Sequence, residues 1–374
     1  MGLTTERGGV EPKSRPCVRT VYKSEHPPVT GDFIIVRLGQ KGGAMSPTIF
    51  TDIFDNPHAS CSPKIIKGHY SAKQIKSHWL QASALLNNGM ESQTHLTASE
   101  LIQARSSWRS CTGEAIPDDK LKELESYVRT KTTGIFGSPL RFELAAAREG
   151  DSEELKGLGT YGFIRGASAF IIGAIDREIH NLEDYGYLMQ DIILFATGLN
   201  LATCWLGGSF RKDNFSARIN VQDHEFVPAV VSVGLPAENR NLVDRIIRNV
   251  AGSKKRKPWE ELFLTADFTT PLSRNKAGEY AHVLEMVRLS PSASNKQPWR
   301  YVLDNDRFHL YLQRTPGYRK KNLFSDLQRI DMGISMHHFA SVCDERDLGG
   351  EWVKRVPSRQ TPEGWEPVIS WMIK

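Results

Sequence analysis

From residue 96 onward, the apolar positions fall into runs whose spacing names their elements. Leu121, Leu124 and Val128 share one helical face behind Pro117. Asp118 and Asp119 occupy the first turn, where carboxylates favour the helix dipole, so a helix is predicted with Pro117 just inside its start. A glycine-rich turn follows, then a short strand over 140–144. The segments 169–175 and 226–233 are continuous apolar runs of strand length bounded by Gly or Pro. Between them Leu188, Ile192, Phe195 and Leu199 recur every three or four residues and mark a buried helix. Helices and strands mix along the chain, which predicts an α+β fold.

Residues 1–89 read differently. Gly, Pro, Ser and Lys are scattered, and apolar pieces such as Phe33-Ile34-Ile35-Val36 stand alone. They are read as an extension, flexible or the product of an over-long start-site choice, with no apolar segment of the kind a secretory signal needs. Charge sharpens the division. The chain's net charge of +5 rests on 48 basic and 43 acidic residues; eleven of the former and six of the latter lie in 1–89, leaving 37 of each in 90–374. The body is therefore electrically balanced, and nucleic acid is not expected as its partner; a weaker reading would give that role to the basic extension.

With 374 residues, 40% of them hydrophobic, the chain can build a sizeable core, which excludes global disorder and small stapled scaffolds. Its longest apolar run, about nine residues around Ala167–Ile175, is far too short to cross a bilayer, so no membrane partner is expected. Cys17, Cys61, Cys111, Cys204 and Cys343 are odd in number and scattered, without zinc spacing. Free thiols in a reducing, cytoplasmic compartment fit best, with no metal site.

An internal repeat is the most informative feature. Displacing residues 128–144 by 159 positions superposes Val128-Arg129 on Val287-Arg288, Pro139 on Pro298, Arg141 on Arg300 and Leu144 on Leu303. Each copy reads helix, connection, proline, strand. The polar residues of the connection are not shared. The second copy has Pro291-Ser292-Ala293-Ser294-Asn295-Lys296-Gln297 where the first has Thr132-Thr133-Gly134-Ile135-Phe136-Gly137-Ser138. Conversely, Arg105-Ser106-Ser107-Trp108-Arg109 precedes only the first copy. Complementary losses are expected when a two-fold dimer with two identical sites is fused and one site is retained between the halves. The halves are read as 96–262 and 263–374, a monomer acting as an intramolecular pseudo-dimer.

Arg105 and Arg109 flank two hydroxyls, a donor set suited to a phosphate monoester. The amides of Asn295 and Gln297 can donate and accept, which suits the edge of a heteroaromatic ring. Residues 198–210 are read as a small-residue turn able to approach a flat ligand, with Cys204 a buried thiol rather than a nucleophile. Lys254 and Arg256, in a basic run after the strand near Val233, could return to the phosphate.

Together these motifs, Arg-x-Ser-x-Arg, Pro-Ser-x-x-Asn-x-Gln-Pro-Trp and Gly-Leu-x-x-Thr-Cys-Trp-Leu-Gly-Gly, resemble the FMN-dependent nitroreductase family over about residues 97–355. The fit is closest to its single-chain, pseudo-dimeric branch, to which Asp331-Met332-Gly333-Ile334 and His338 are also similar. The resemblance implies a mixed sheet flanked by helices. It also implies that Arg105, Ser106, Ser107, Arg109, Lys254 and Arg256 hold the phosphate and ribityl chain of FMN. Pro291, Ser292, Ala293, Ser294, Asn295 and Gln297 would contact the flavin from the other half, while Thr203, Cys204, Trp205, Leu206 and Gly207 would pack against its ring. Ser106 and Cys111 depart from the family pattern, which commonly has a basic residue and an aromatic there. The implied activity passes hydride from NAD(P)H through the flavin to a nitroaromatic, quinone or related electron-poor acceptor, with no side-chain acid or base; the alternative is an FMN-binding redox sensor or store. Trp299 and Phe210 are candidates to shape the acceptor slot.

Overall fold

The computed structural model describes residues 96–147, 155, 158–178, 181–237, 255–318, 325–354 and 360–374, and the backbone of 33–41 and 44–52. The chain divides into two compact units, residues 1–94 and 95–374. In the first, strands β1 (Phe33–Lys41) and β2 (Ala44–Asp52) pair antiparallel, Phe33 opposite Asp52. The reading of 1–89 as an extension otherwise falls outside the described residues, as does Lys254.

The second unit begins with α1 (Ala98–Ala104), whose N-cap Thr97 and Glu100 form a reciprocal capping box. Next come α2 (Asp118–Arg129), β3 (Leu140–Ala146), β4 (Ala169–Asp176), α3 (Leu182–Gly198), β5 (Ala202–Leu206), α4 (Lys212–Arg218), β6 (Glu225–Phe226) and β7 (Val230–Gly234). After them come α5 (Trp259–Leu262), β8 (Phe263–Thr265), α6 (Arg274–Ala277), α7 (Tyr280–Arg288), β9 (Trp299–Asp304), β10 (Arg307–Gln313), α8 (Leu327–Glu345), β11 (Gly350–Val353) and β12 (Trp365–Ile373). The fold is α+β, with two mainly antiparallel sheets and packed helices.

The expected elements need three adjustments. Pro117 is the N-cap of α2, one step outside the helix. The run 226–233 is broken into β6 and β7, since Pro228 between them has no N–H for a ladder. The supposed turn at 203–207 is strand β5, antiparallel to β7; only from Gly207 does the chain turn. Ladder hydrogen bonds inside the sheet overrode the flanking glycines as a breaker signal.

Strand β4 shows why its sequence is uniformly apolar. Ala169, Ile171 and Ile175 pack with α2 and α3, while Phe170, Ile172 and Ala174 pack on the opposite face with Phe210 and Phe215. Both sheets repeat one strand order: β3-β4-β7-β5 in one, β9-β10-β12-β11 in the other, with every neighbouring pair antiparallel. The second sheet gains β8 at its edge, parallel to β9. The displacement of 159 seen in sequence persists in structure: α2 and α7 end at Arg129 and Arg288, and β3 and β9 begin at Leu140 and Trp299.

Helices α3 and α8 pack against each other at the centre. A Cβ on Gly186 would collide with the Ile330 carbonyl, and one on Gly333 with the Glu183 carbonyl. Displacing 183 and 186 by 147 gives 330 and 333, so the two contacts are reciprocal. Backbones this close require glycine at both positions.

Candidate functional site

The site begins where α1 stops. Arg105 is its C-cap, and the chain then runs extended beside β5: Ser107 bridges Thr203, and the Trp108 amide donates to the Thr203 carbonyl at 2.9 Å. This parallel run explains why two motifs a hundred residues apart in sequence share one wall. Trp205 is fixed by a relay. Its Nε1 donates to Gln190 Oε1 (3.2 Å), Gln190 Nε2 donates to His338 Nε2 (3.0 Å), and His338 Nδ1 donates to the Met286 carbonyl (3.1 Å). An amide that donates to Nε2 fixes the Nδ1–H tautomer. Burial drives the His338 pKa well below the usual value, so the ring stays neutral.

The opposite wall is the connection 291–297. Ser294, Asn295 and Gln297 all have positive φ (50°, 53° and 48°), a conformation costly for non-glycine residues, so the loop needs external bracing. The Ala293 amide donates to Asp331 Oδ1 (2.9 Å), the Gln297 amide to Ser292 Oγ (2.9 Å), and the Lys257 amide to Gln297 Oε1 (2.8 Å). Ser294 Oγ and Tyr318 Oη lie 3.3 Å apart. Asn295 reaches across to the segment before α5: its Nδ2 donates to the Lys255 carbonyl (2.8 Å), and its Oδ1 accepts from Arg256 Nη1 (2.9 Å). Arg256 Nη2 donates to the Leu289 carbonyl (3.1 Å).

These walls enclose a cavity of about 530 Å³, within the range of small-molecule and cofactor sites. Of the sequence-predicted residues, Arg105, Ser106, Ser107, Arg109, Cys204, Trp205, Leu206, Gly207, Arg256 and the run Pro291–Asn295 line it. Thr203 and Gln297 do not; the first is inside the sheet, and the second braces the loop from behind. Trp299 and Phe210 are buried in cores away from the cavity, so they do not shape a slot in it. Phe163 and Tyr318 stand on the wall instead.

Sequence reasoning also missed the face that α8 presents. Leu327, Ile330, Asp331 and Ile334 line the cavity at helical spacing, and a lone carboxylate inside an apolar stripe is the signal that could have found it. Asp331 is 2% exposed and is the one carboxyl among the described residues of the wall. Oδ2 is buried without a hydrogen-bond partner. Burial pushes its pKa well above the ordinary value and favours the neutral acid.

The electrostatics invite an anion. Arg105 Nε is buried and has no hydrogen-bond partner among the described residues. Burial, and then the like charge of Arg256, push its pKa down to about 10. Two guanidiniums facing one space without a carboxylate between them are costly unless an anion joins them.

The family described as "Putative TM nitroreductase" matches residues 97–342. The chain belongs to this nitroreductase family. Membership makes it an oxidoreductase by class. Solved structures similar to this chain include a Thermotoga maritima protein named a "putative nitroreductase", 18% identical, covering 75% of this chain and 94% of its own, with a TM-score of 0.47. A Desulfovibrio desulfuricans protein of the same designation, in complex with FMN, is 22% identical over 41% of this chain and 96% of its own, TM-score 0.30. An FMN and NADPH-dependent nitroreductase from a Sphingopyxis strain is 13% identical over 39% and 91%, TM-score 0.30. No curated protein matches. Among the described residues, no helix is long and apolar enough to cross a membrane.

Proposed function

We propose that the cavity holds FMN and that the protein is an oxidoreductase taking reducing equivalents from NAD(P)H and passing them to an electron-poor acceptor such as a nitroaromatic or quinone. In this reading residues 96–262 and 263–374 are two fused halves of an intramolecular pseudo-dimer. Arg105, Ser106, Ser107, Arg109 and Arg256 would hold the phosphate and ribityl chain. The Pro291–Asn295 loop and the Cys204–Gly207 segment would flank the ring. The bound cofactor would supply hydride exchange between a nicotinamide and an acceptor.

The observation that carries this reading is the convergence of Arg105 and Arg256 with the Ser292–Asn295 loop on one cavity, with Arg105 Nε buried and unpartnered among the described residues. The residues present fit the group. Guanidinium forks suit a phosphate dianion, and an amide- and hydroxyl-bearing loop suits a ring edge carrying carbonyls. Asp331, whose burial favours the neutral acid, would turn its unpartnered Oδ2 to the ligand, and Leu327, Ile330 and Ile334 would provide an apolar wall that excludes water.

Purified protein should be yellow and release FMN on denaturation, identified by mass. NADH or NADPH should bleach the colour, and a quinone or nitroaromatic should restore it on the timescale of turnover. A colourless protein that takes up no added FMN would end this reading.

A further inference from the structure

A second cavity of about 680 Å³ shares Arg256, Ser294 and Asn295 with the first as a common wall. Its lining carries six cationic side chains, Lys255, Arg256, Lys257, Lys296, Arg300 and Arg314, and no carboxylate. Two of these charges are matched within the protein: Arg314 pairs with Asp326 and Glu366, each at 2.7 Å, and Lys257 with Glu261 at 3.4 Å. Among the described residues, Arg300 has no such partner.

Arg300 is 3% exposed. Its Nη1 donates to the Gln297 and Trp299 carbonyls at 3.1 and 2.6 Å, which fixes the guanidinium plane. Among the described residues no acceptor is paired with Nε or Nη2, and the side chain lines the cleft. The repeat supplies an internal control. Arg141 holds the corresponding place in the first copy, 159 residues earlier, and is neutralised by Glu225 at 2.7–2.8 Å and by Glu143. At the position of Glu143 the second copy has Val302. One copy of the same arginine is thus paired with carboxylates, while the other lines a basic cleft with no carboxylate partner among the described residues. Burial pushes Arg300 down to about 10, and burial followed by the charge of Arg300 lowers Lys257. Such a cluster calls for a multiply charged oxyanion that accepts from a fork and from ammonium groups together.

We propose that this cleft is a phosphate subsite for a 2′-phosphorylated adenine nucleotide, through which the protein selects NADPH over NADH. The assignment to NADPH rests on reading the neighbouring cavity as the flavin site; the phosphate subsite does not.

The test uses the full chain as purified and measures binding of adenosine 2′,5′-bisphosphate and adenosine 5′-monophosphate by calorimetry. The bisphosphate should bind at least about ten-fold more tightly, the worth of one added charge-assisted contact. Lys296→Glu, at an exposed position, should abolish most of that difference, and Arg300→Lys should reduce it while keeping the charge. Thermal denaturation reports whether each variant is folded. The ratio of kcat/KM for NADPH to that for NADH should fall in both variants by about ten-fold. Equal binding of the two nucleotides to the wild type, or a ratio unmoved in a folded Lys296→Glu protein, overturns the proposal. Tight bisphosphate binding by a protein that takes no FMN would sustain the phosphate subsite and overturn the flavin reading alone.

Discussion

The two connections at 132–138 and 291–297 occupy the same place in the repeat and are held by aspartates from corresponding helices, yet only one borders the cavity. In the first, Asp184 on α3 accepts from the Phe136 amide at 2.8 Å and the Ser138 amide at 2.9 Å, so both oxygens are satisfied. In the second, Asp331, displaced from Asp184 by the same 147 residues, holds only the Ala293 amide and keeps Oδ2 free of protein partners. Gly134 lets the first loop close on its aspartate, since a Cβ there would overlap the Asp184 carboxyl. The register position in the second copy is Ala293. One methyl group helps keep the second loop open, and Ser294 and Asn295 replace the apolar Ile135 and Phe136, which pack into the core around the second sheet. The lesson is that one scaffold gives a closed structural loop or an open ligand-facing loop according to a few side chains.

The sharpest way to break the comparison is at the helix crossing that relates the two loops. Gly186→Ala or Gly333→Ala forces a methyl onto a backbone carbonyl, and each should cost about 3 kcal/mol or more. Chemical denaturation checks this, and a midpoint close to wild type in either variant would contradict reciprocal packing. Next in size, Arg105→Ala and Arg256→Ala should each weaken FMN binding by roughly 1.5–3 kcal/mol, the usual worth of a charged hydrogen-bond donor. Fluorescence titration of the stripped protein reads that loss, and unchanged affinity in both would remove the anion site.

Smaller effects sharpen the contrast between the aspartates. The raised Asp331 pKa means that its stabilisation in the apo protein is fully present below the unfolded value near 3.9 and is lost as pH rises toward the folded value. Asp331→Asn should therefore gain on wild type as pH is raised from 4 to 8, by on the order of 1 kcal/mol. Parallel pH profiles of stability would show that Asp331 is not held as the neutral acid. Smallest, Phe136→Ala should cost about 1 kcal/mol for a half-buried ring and leave FMN affinity untouched. A loss of binding there would mean that the two loops are not functionally distinct.

Much of the architecture was legible. The face of Leu121, Leu124 and Val128 and the doubly buried run at 169–175 identified α2 and β4 because burial imposes period and composition directly. The repeat identified equivalent positions because its copies retain the same boundaries. Strand β5 was misread because five residues between glycines carry too little pattern, and their ladder partner β7 lies more than twenty residues away. Of the cavity wall, the arginines and the 291–295 loop were visible as motifs. Phe163 and Tyr318 come from separate loops and carry no periodic or motif signal, so only folding could assemble them.

By itself the sequence determined which segments bury an apolar face, and which polar groups stand in each of the connections 132–138 and 291–297, because these are properties of local order and composition. Tertiary structure alone decided that Arg105, Arg256 and Asn295 meet at one cavity, that Asp331 Oδ2 is buried without a match, and that Arg141 meets carboxylates where Arg300 meets none among the described residues. Those outcomes depend on which distant groups come within hydrogen-bonding distance and how deeply they are desolvated, and a linear pattern carries neither quantity.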